Sequence, residues 1–154
     1  MVTVATVVKH FKENGFTCRK EKRGKNVYKC VDGDATAIIS DSNIEVKVYT
    51  EYRDEYSNYV PDDYSFEEDF IRDLEEATGA SRITTDIIGE TYYNFIYELD
   101  DYQKALELAK KIRDNGIWFA ITNISAELRP HKMNKQTEEY EPINAKELIE
   151  LIRI

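Results

Sequence analysis

Residues 91–128 read TYYNFIYELDDYQKALELAKKIRDNGIWFAITNISAEL, and this stretch organises the predicted fold. The pattern predicts three consecutive elements: a strand at 91–99, a helix at 101–115 and a strand at 117–128. The second strand is apolar on both faces, which is typical of a central strand. The sequence therefore predicts a strand–helix–strand unit, with a right-handed crossover if both strands share one sheet.

The helix of this unit has an apolar stripe with i, i+3, i+4 and i+7 spacing, as in a helix that lies on a core. The stripe consists of Tyr102, Ala105, Leu106, Ala109 and Ile112. Asp100 and Asp101 are expected to cap the start of the helix. Asn115-Gly116 is expected to end the helix, with a residue in the left-handed backbone conformation.

The rest of the chain adds further helices and hairpins. The pattern predicts helices at 4–13, 66–79 and after Asn144, and strands at 16–20, 26–31, 35–40, 44–49 and 82–88. In the strand at 44–49, Ile44 is expected to point inward with Val46 and Val48. No periodicity is visible at 129–143, so its order stays open.

These elements predict the fold class α+β, with an antiparallel or mixed sheet and about four helices. From residue 44 onward the order is βαββαβ, so the second part of the chain matches a ferredoxin-like order. The length of 154 residues fits a single domain at 1–154, with sub-halves at 1–79 and 80–154 as the alternative division.

Composition excludes several classes of protein. The net charge of −9 argues against non-specific binding of duplex DNA through the whole surface. No apolar run approaches the roughly 20 residues needed to span a bilayer, and the start lacks signal-peptide features, so a cytoplasmic protein is expected. Cys18 and Cys30 fall on predicted paired strands, and in that compartment they are expected to be reduced. Zinc is not expected, because His10 and His131 are isolated and no C-x-x-C occurs.

Charge is unevenly distributed along the chain. Residues 9–29 contain eight basic and two acidic residues, a net charge of +6. Residues 51–101 contain sixteen acidic and three basic residues, a net charge of −13, together with seven tyrosines. An electrostatic field this uneven favours partners whose charge is opposite to that of the nearest region. Tyrosine is enriched in protein interfaces.

The main hypothesis is therefore a non-enzymatic protein, without a cofactor, that binds a basic protein surface through an acidic, tyrosine-rich face. The target is expected to be a protein such as a nucleic-acid enzyme, with no direct contact to nucleic acid or membrane. The predicted contact residues are Tyr52, Asp54, Glu55, Tyr56, Tyr59, Asp62, Asp63, Tyr64, Glu67 and Glu68. In general composition the chain resembles small phage or mobile-element inhibitors that mimic DNA. The oligomeric state stays open.

An alternative hypothesis comes from Glu45-Val46-Lys47 on a predicted strand, preceded by Asp34 at the start of the strand before it. This layout, after an opening helix, resembles the PD-(D/E)xK nucleases. The resemblance implies that Asp34 and Glu45 bind Mg²⁺ or Mn²⁺ and that Lys47 is catalytic. An ordinary strand with polar residues on its outer side also produces Glu-x-Lys. A third hypothesis is a ferredoxin-like regulatory domain that binds a small ligand.

Overall fold

A computed structural model of the protein describes residues 2–21, 25–50, 56–57, 67–85, 93–122 and 128–154. These residues contain four α-helices: α1 (Val4–Glu13), α2 (Glu67–Thr78), α3 (Tyr102–Asn115) and α4 (Ala145–Ile152). One sheet is formed by β1 (Thr17–Lys20), β2 (Val27–Asp32), β3 (Ala35–Ser40), β4 (Glu45–Tyr49), β6 (Arg82–Thr85) and β7 (Tyr93–Glu98). The other sheet is formed by β5 (Tyr56–Ser57), β8 (Ile117–Thr122), β9 (Leu128–Asn134) and β10 (Glu139–Pro142). The predicted α+β class is confirmed.

The six-stranded sheet is antiparallel throughout, in the order β1-β2-β3-β4-β7-β6. Strand β7 lies between β4 and β6, as a ferredoxin-like order requires. The ferredoxin-like prediction is wrong at the last strand, because β8 belongs to the other sheet and β3 takes the place beside β4. The crossover predicted for residues 91–128 therefore connects two sheets.

One face of the six-stranded sheet, here called the inner face, carries the helices. Helix α1 contacts β1, β2 and β3, and α3 contacts β3, β4 and β7. The inner face is apolar because alternate residues of each strand point toward it. One of its cross-strand rows consists of Cys30, Ala37, Val48 and Phe95, all buried. The apolar stripe predicted for α3 is buried, as expected. The buried residues of α1 are Val4, Val7, Val8 and Phe11.

A buried tyrosine on the inner face ties the sheet to α2. Tyr97 is fully buried, and its hydroxyl donates to the backbone oxygen of Thr78 at 2.9 Å. Burial raises the pKa of Tyr97, since the phenolate would be poorly solvated there. The residue therefore remains a neutral hydrogen-bond donor.

Most predicted helix ends are confirmed, but the start of α3 differs. The Asn144 side chain accepts from the backbone N–H of Glu147 at 2.8 Å, and Gly116 ends α3 in the left-handed conformation at φ 59°. Asp101 takes the predicted N-cap position of α3, but its side chain makes no capping hydrogen bond, and Asp100 lies one residue before it. Residues Leu99–Asp101 instead form a turn of 3-10 helix that precedes α3.

The outward position of Ile44 corrects the predicted strand at 44–49. Ile44 lies in the turn before β4, has φ 53° and is 60% exposed, whereas Val46 and Val48 are fully buried. Its backbone N–H donates to the oxygen of Asp41 at 3.3 Å. The tight turn between β3 and β4 decides its direction, so strand alternation begins only at Glu45.

The cysteines are joined, so the prediction of a reduced pair is wrong. Cys18 on β1 stands directly opposite Cys30 on β2, and their Cα atoms are 4.0 Å apart. The sulfurs form a disulfide. The prediction rested on the expected compartment, whereas the strand register brings the two side chains together.

Residues 129–143, whose order the sequence left open, form most of a hairpin. Strand β9 pairs antiparallel with β8 on one side and with β10 on the other. In the turn, the Asn134 side chain accepts from the backbone N–H of Gln136 at 2.9 Å and of Thr137 at 3.3 Å. None of the helices in the described ranges has the length and apolarity needed to cross a bilayer.

Candidate interaction surfaces

Most residues of the predicted acidic contact face lie outside the described residues. These are Tyr52, Asp54, Glu55, Tyr59, Asp62, Asp63 and Tyr64. Tyr56 belongs to β5, where its backbone pairs with Ile121 of β8. Glu67 and Glu68 are the first residues of α2. The role of these ten residues as contacts stays a prediction.

Helix α2 continues the acidic segment into the described part of the chain. It buries Phe70, Leu74 and Ala77, which leaves its charged residues on the other side. Asp69 and Glu76 are exposed, while Asp73 and Glu75 are half-buried. The single cation of the helix, Arg72, lies 3.2 Å from Asp69. The helix therefore presents more negative than positive charge to solvent.

A groove of about 460 Å³ separates α2 from α4. Its lining includes the carboxylates of Asp73, Glu76 and Glu150 and the cations Lys146 and Arg153. Arg153 lies 3.2 Å from Glu150. The acidic character of α2 thus extends to this groove, where the two cations offset part of it.

The alternative site residues Glu45 and Lys47 lie on the outer face of the six-stranded sheet, opposite the helices. A carboxylate oxygen of Glu45 lies 3.5 Å from Nη2 of Arg82 on β6. The ammonium nitrogen of Lys47 lies 5.6 Å from the ring centroid of Tyr49, which allows a cation–π contact. Both residues therefore have local partners that an ordinary strand would supply.

Asp34 lies at the opposite end of the same two strands. It directly precedes β3, whereas Glu45 pairs with Ser40 at the far end of β3. Asp34 and Ser40 are six positions apart, which is roughly 20 Å of extended chain. Carboxylates that share one Mg²⁺ must both lie within about 2.1 Å of it. The described geometry therefore does not bring Asp34 and Glu45 together at a metal ion.

Asp34 instead belongs to a joint between the two sheets. The hydroxyl of Tyr140, on β10, lies 2.7 Å and 2.9 Å from the two carboxylate oxygens of Asp34. The ring of Trp118, on β8, lies 5.0 Å from those of both Tyr140 and buried His131. Sequence reasoning missed this cluster, because its members come from distant parts of the chain.

The described residues contain no group of three or more His, Cys, Asp or Glu side chains that could hold a metal ion. No protein-family model matches the chain, and no curated protein or solved structure is significantly similar to it.

Proposed function

We propose that the protein binds a basic surface of another macromolecule through its acidic, tyrosine-rich segment at residues 51–68, with support from residues 82–99. The target class is a protein with a basic groove, such as a nucleic-acid enzyme. In this role the protein is a non-enzymatic inhibitor that mimics nucleic acid, of the kind carried by phages and mobile elements. Its proposed compartment is the cytoplasm, where the Cys18–Cys30 disulfide would be an exception to the reduced state that is usual there.

The separation of opposite charges within the fold supports this proposal. The basic segment at 9–29 includes β1 and the first half of β2, at one edge of the six-stranded sheet. The described part of the acidic segment includes α2, β6 and β7, and β6 forms the other edge. Five strand spacings separate the edges, about 24 Å. That distance exceeds the Debye length of about 8 Å at physiological salt, so each region acts on partners independently.

The chemistry of the segment supports a protein partner. Tyrosine buries a large, flat area at a small cost in side-chain entropy. Carboxylates beside tyrosines match a groove of Arg and Lys, since charge complementarity accelerates association and rejects partners of the wrong sign. Duplex DNA and anionic lipid headgroups carry negative charge, so the same segment repels them.

The test is displacement of fluorescent DNA from a set of purified DNA-binding enzymes with basic grooves. The wild-type protein is expected to displace DNA from at least one of them, and the effect should weaken as salt rises. The variant D54N/E55Q/D62N/D63N is expected to lose the displacement. A matched control, E138Q/E139Q/E141Q/E150Q, makes the same charge change at exposed positions of the β9–β10 hairpin and α4.

The control variant is expected to displace DNA as the wild type does. Equal activity of the two quadruple variants would show that residues 51–68 are not the contact surface. Failure of the wild-type protein on every basic groove would remove the nucleic-acid enzyme as the target class.

A further inference from the structure

Strand β1 forms one edge of the six-stranded sheet, and among the described residues it pairs with β2 alone. The register continues past β1, where the backbone N–H of Glu21 donates to the oxygen of Val27 at 2.8 Å. Along an antiparallel pair, such hydrogen-bonded positions alternate with positions whose N–H and C=O groups point away from the partner strand. In β1 the positions that point away are Cys18 and Lys20. Their backbone groups therefore face the open edge.

This edge strand is fixed to the rest of the fold. The Cys18–Cys30 disulfide joins β1 to β2. Phe16, which leads into β1, is buried, and its ring centroid lies 5.2 Å from that of Phe11 on α1. A strand that is already held in its extended conformation loses little entropy when another strand pairs with it. The geometry of β1 thus favours the addition of a strand.

A groove of about 500 Å³ lies beside this edge, between α1 and β2. Its lining consists of Ala5, Val8, Lys9, Lys12, Glu13 and Tyr28. The opposite flank of α1 faces α3, since the ring centroid of His10 lies 5.2 Å from that of Tyr102. The groove therefore opens on the side of α1 that faces the sheet edge. The groove and the outward backbone groups of β1 are together called the β1 surface.

The β1 surface carries positive charge. Lys20 stands directly opposite Tyr28, so its side chain lies on the same side of the sheet as the groove. Lys9, Lys12 and Lys20 are all exposed. Glu13, the acid in the groove lining, lies 4.0 Å from Lys9 and offsets that cation. Lys12 and Lys20 are therefore the cations best placed to attract carboxylates of a partner.

We propose that the β1 surface binds an extended acidic segment of another protein, which adds to the sheet as a strand beside β1. Backbone hydrogen bonds to Cys18 and Lys20 supply affinity, as in other cases of β-strand addition. Carboxylates on the groove side of the added strand meet Lys12 and Lys20. A symmetric pair of β1 strands from two copies is disfavoured, because it brings Arg19 and Lys20 close to the same cations. The proposal does not rest on the function of residues 51–68.

The test measures fluorescence anisotropy of a labelled peptide of alternating Glu and Val with the intact protein. The peptide has about eight residues, within the usual length of a strand. Two further peptides carry N-methyl groups, one on the Glu amides and the other on the Val amides. An added strand directs only alternate amides toward β1, so one methylated peptide should bind at least about tenfold more weakly than the other. A peptide of alternating Lys and Val is expected not to bind.

Lys20 offers a matched pair of variants. K20P and K20Q both remove the cation, but only K20P removes the outward N–H and places a ring at the edge. An edge strand tolerates proline where the N–H faces away from the neighbouring strand. K20P is therefore expected to bind the acidic peptide at least about fivefold more weakly than K20Q. Urea denaturation checks that both variants are folded.

The charge contribution is tested separately. K12Q/K20Q is expected to bind the acidic peptide about three- to tenfold more weakly and with less salt dependence, since two exposed ion pairs are lost. The matched control K104Q/K135Q removes exposed cations of α3 and of the β9–β10 turn, and should bind as the wild type does. The variant D54N/E55Q/D62N/D63N is expected to keep peptide binding, which separates this proposal from the preceding one.

Four results would overturn the proposal. The first is no binding of the acidic peptide at low salt. The second is equal affinity of the two methylated peptides, which would indicate charge attraction without strand pairing. The third is equal affinity of K12Q/K20Q and K104Q/K135Q. The fourth is a dimer of the protein alone that K20P abolishes, which would make a second copy the occupant. If K20P does not fold, the methylated peptides decide between strand addition and charge attraction.

Discussion

Arg113, in the last turn of α3, donates from Nη1 to Oδ2 of Asp32, the last residue of β2, at 3.0 Å. The same nitrogen donates to the backbone oxygen of Asn14 at 2.6 Å, and the guanidinium lies 5.4 Å from the ring centroid of Phe16. The hydrogen bond to Asp114 raises the pKa of Arg113, and Asp32 adds to the effect. One side chain thus fastens α3 to the end of α1 and to β2.

Replacing this arginine is expected to destabilise the fold. R113M keeps much of the apolar side chain but removes the hydrogen bonds, so the free energy of unfolding should fall by about 1–3 kcal/mol. Urea denaturation measures the change. R153M, which removes an exposed pair with Glu150, should cost less than about 1 kcal/mol. Equal losses in the two variants would contradict the special role of Arg113.

The disulfide has consequences for the number of reactive thiols and for the free energy of unfolding. Protein purified without reductant should show no reactive thiol in denaturant, and two after reduction. Removing the bond in C18A/C30A should lower the free energy of unfolding by roughly 3 kcal/mol, since the bond closes a loop of 12 residues in the unfolded chain. Two thiols in the unreduced, denatured protein would mean that the register alone does not drive oxidation.

Gly116 and Gly33 provide a matched pair of left-handed glycines. Their φ angles are 59° and 57°, so alanine costs about 1 kcal/mol of backbone strain at either position. A Cβ at Gly116 would also lie 2.7 Å from Cβ of Met133 on β9, whereas at Gly33 the nearest atom lies at 3.5 Å. Thermal unfolding of G116A should therefore occur at a clearly lower temperature than that of G33A. Equal unfolding temperatures would indicate that β9 can move away from α3.

The bond between Tyr140 and Asp34 predicts coupling between the two sheets. Y140F and D34N each remove or weaken the same hydrogen bond, and each should cost about 1–2 kcal/mol of unfolding free energy. Since they share one interaction, the double variant should cost less than the sum of the single variants. A urea double-mutant cycle measures this, and strictly additive losses would show that the contact contributes little.

Prediction from sequence succeeded where structure depends on near neighbours. The helix Val4–Glu13 and the strand Ala35–Ser40 were predicted with their observed bounds. The hairpin that contains β9 was not predicted, because residues 129–143 show no clear periodicity. Pro130 also lacks the backbone donor that a strand residue usually supplies. In the structure Pro130 lies beyond the last pair of β9 with β10, so the lost donor costs no bond on that side.

The candidate surfaces show the same division. The −13 segment is visible in the sequence, because net charge requires only counting. The cross-strand alignment of Arg19, Lys29, Ile38 and Lys47 is not, since it depends on the register of three strand pairs. The separation of Asp34 from Glu45 likewise follows from the register of β3 with β4. The spacing of the two residues in the chain is compatible with carboxylates that are close together and with carboxylates that are far apart.

The sequence by itself determined the α+β class, the buried faces of the helices, most helix ends and the uneven charge. Each depends on side-chain period, turn residues or composition within a short stretch, where local preferences dominate the free energy. Only the tertiary structure decided which sheet receives β8, that Cys18 meets Cys30, and that Arg19, Lys29 and Lys47 share one line. Those arrangements depend on the packing free energy between distant segments, which no local pattern records.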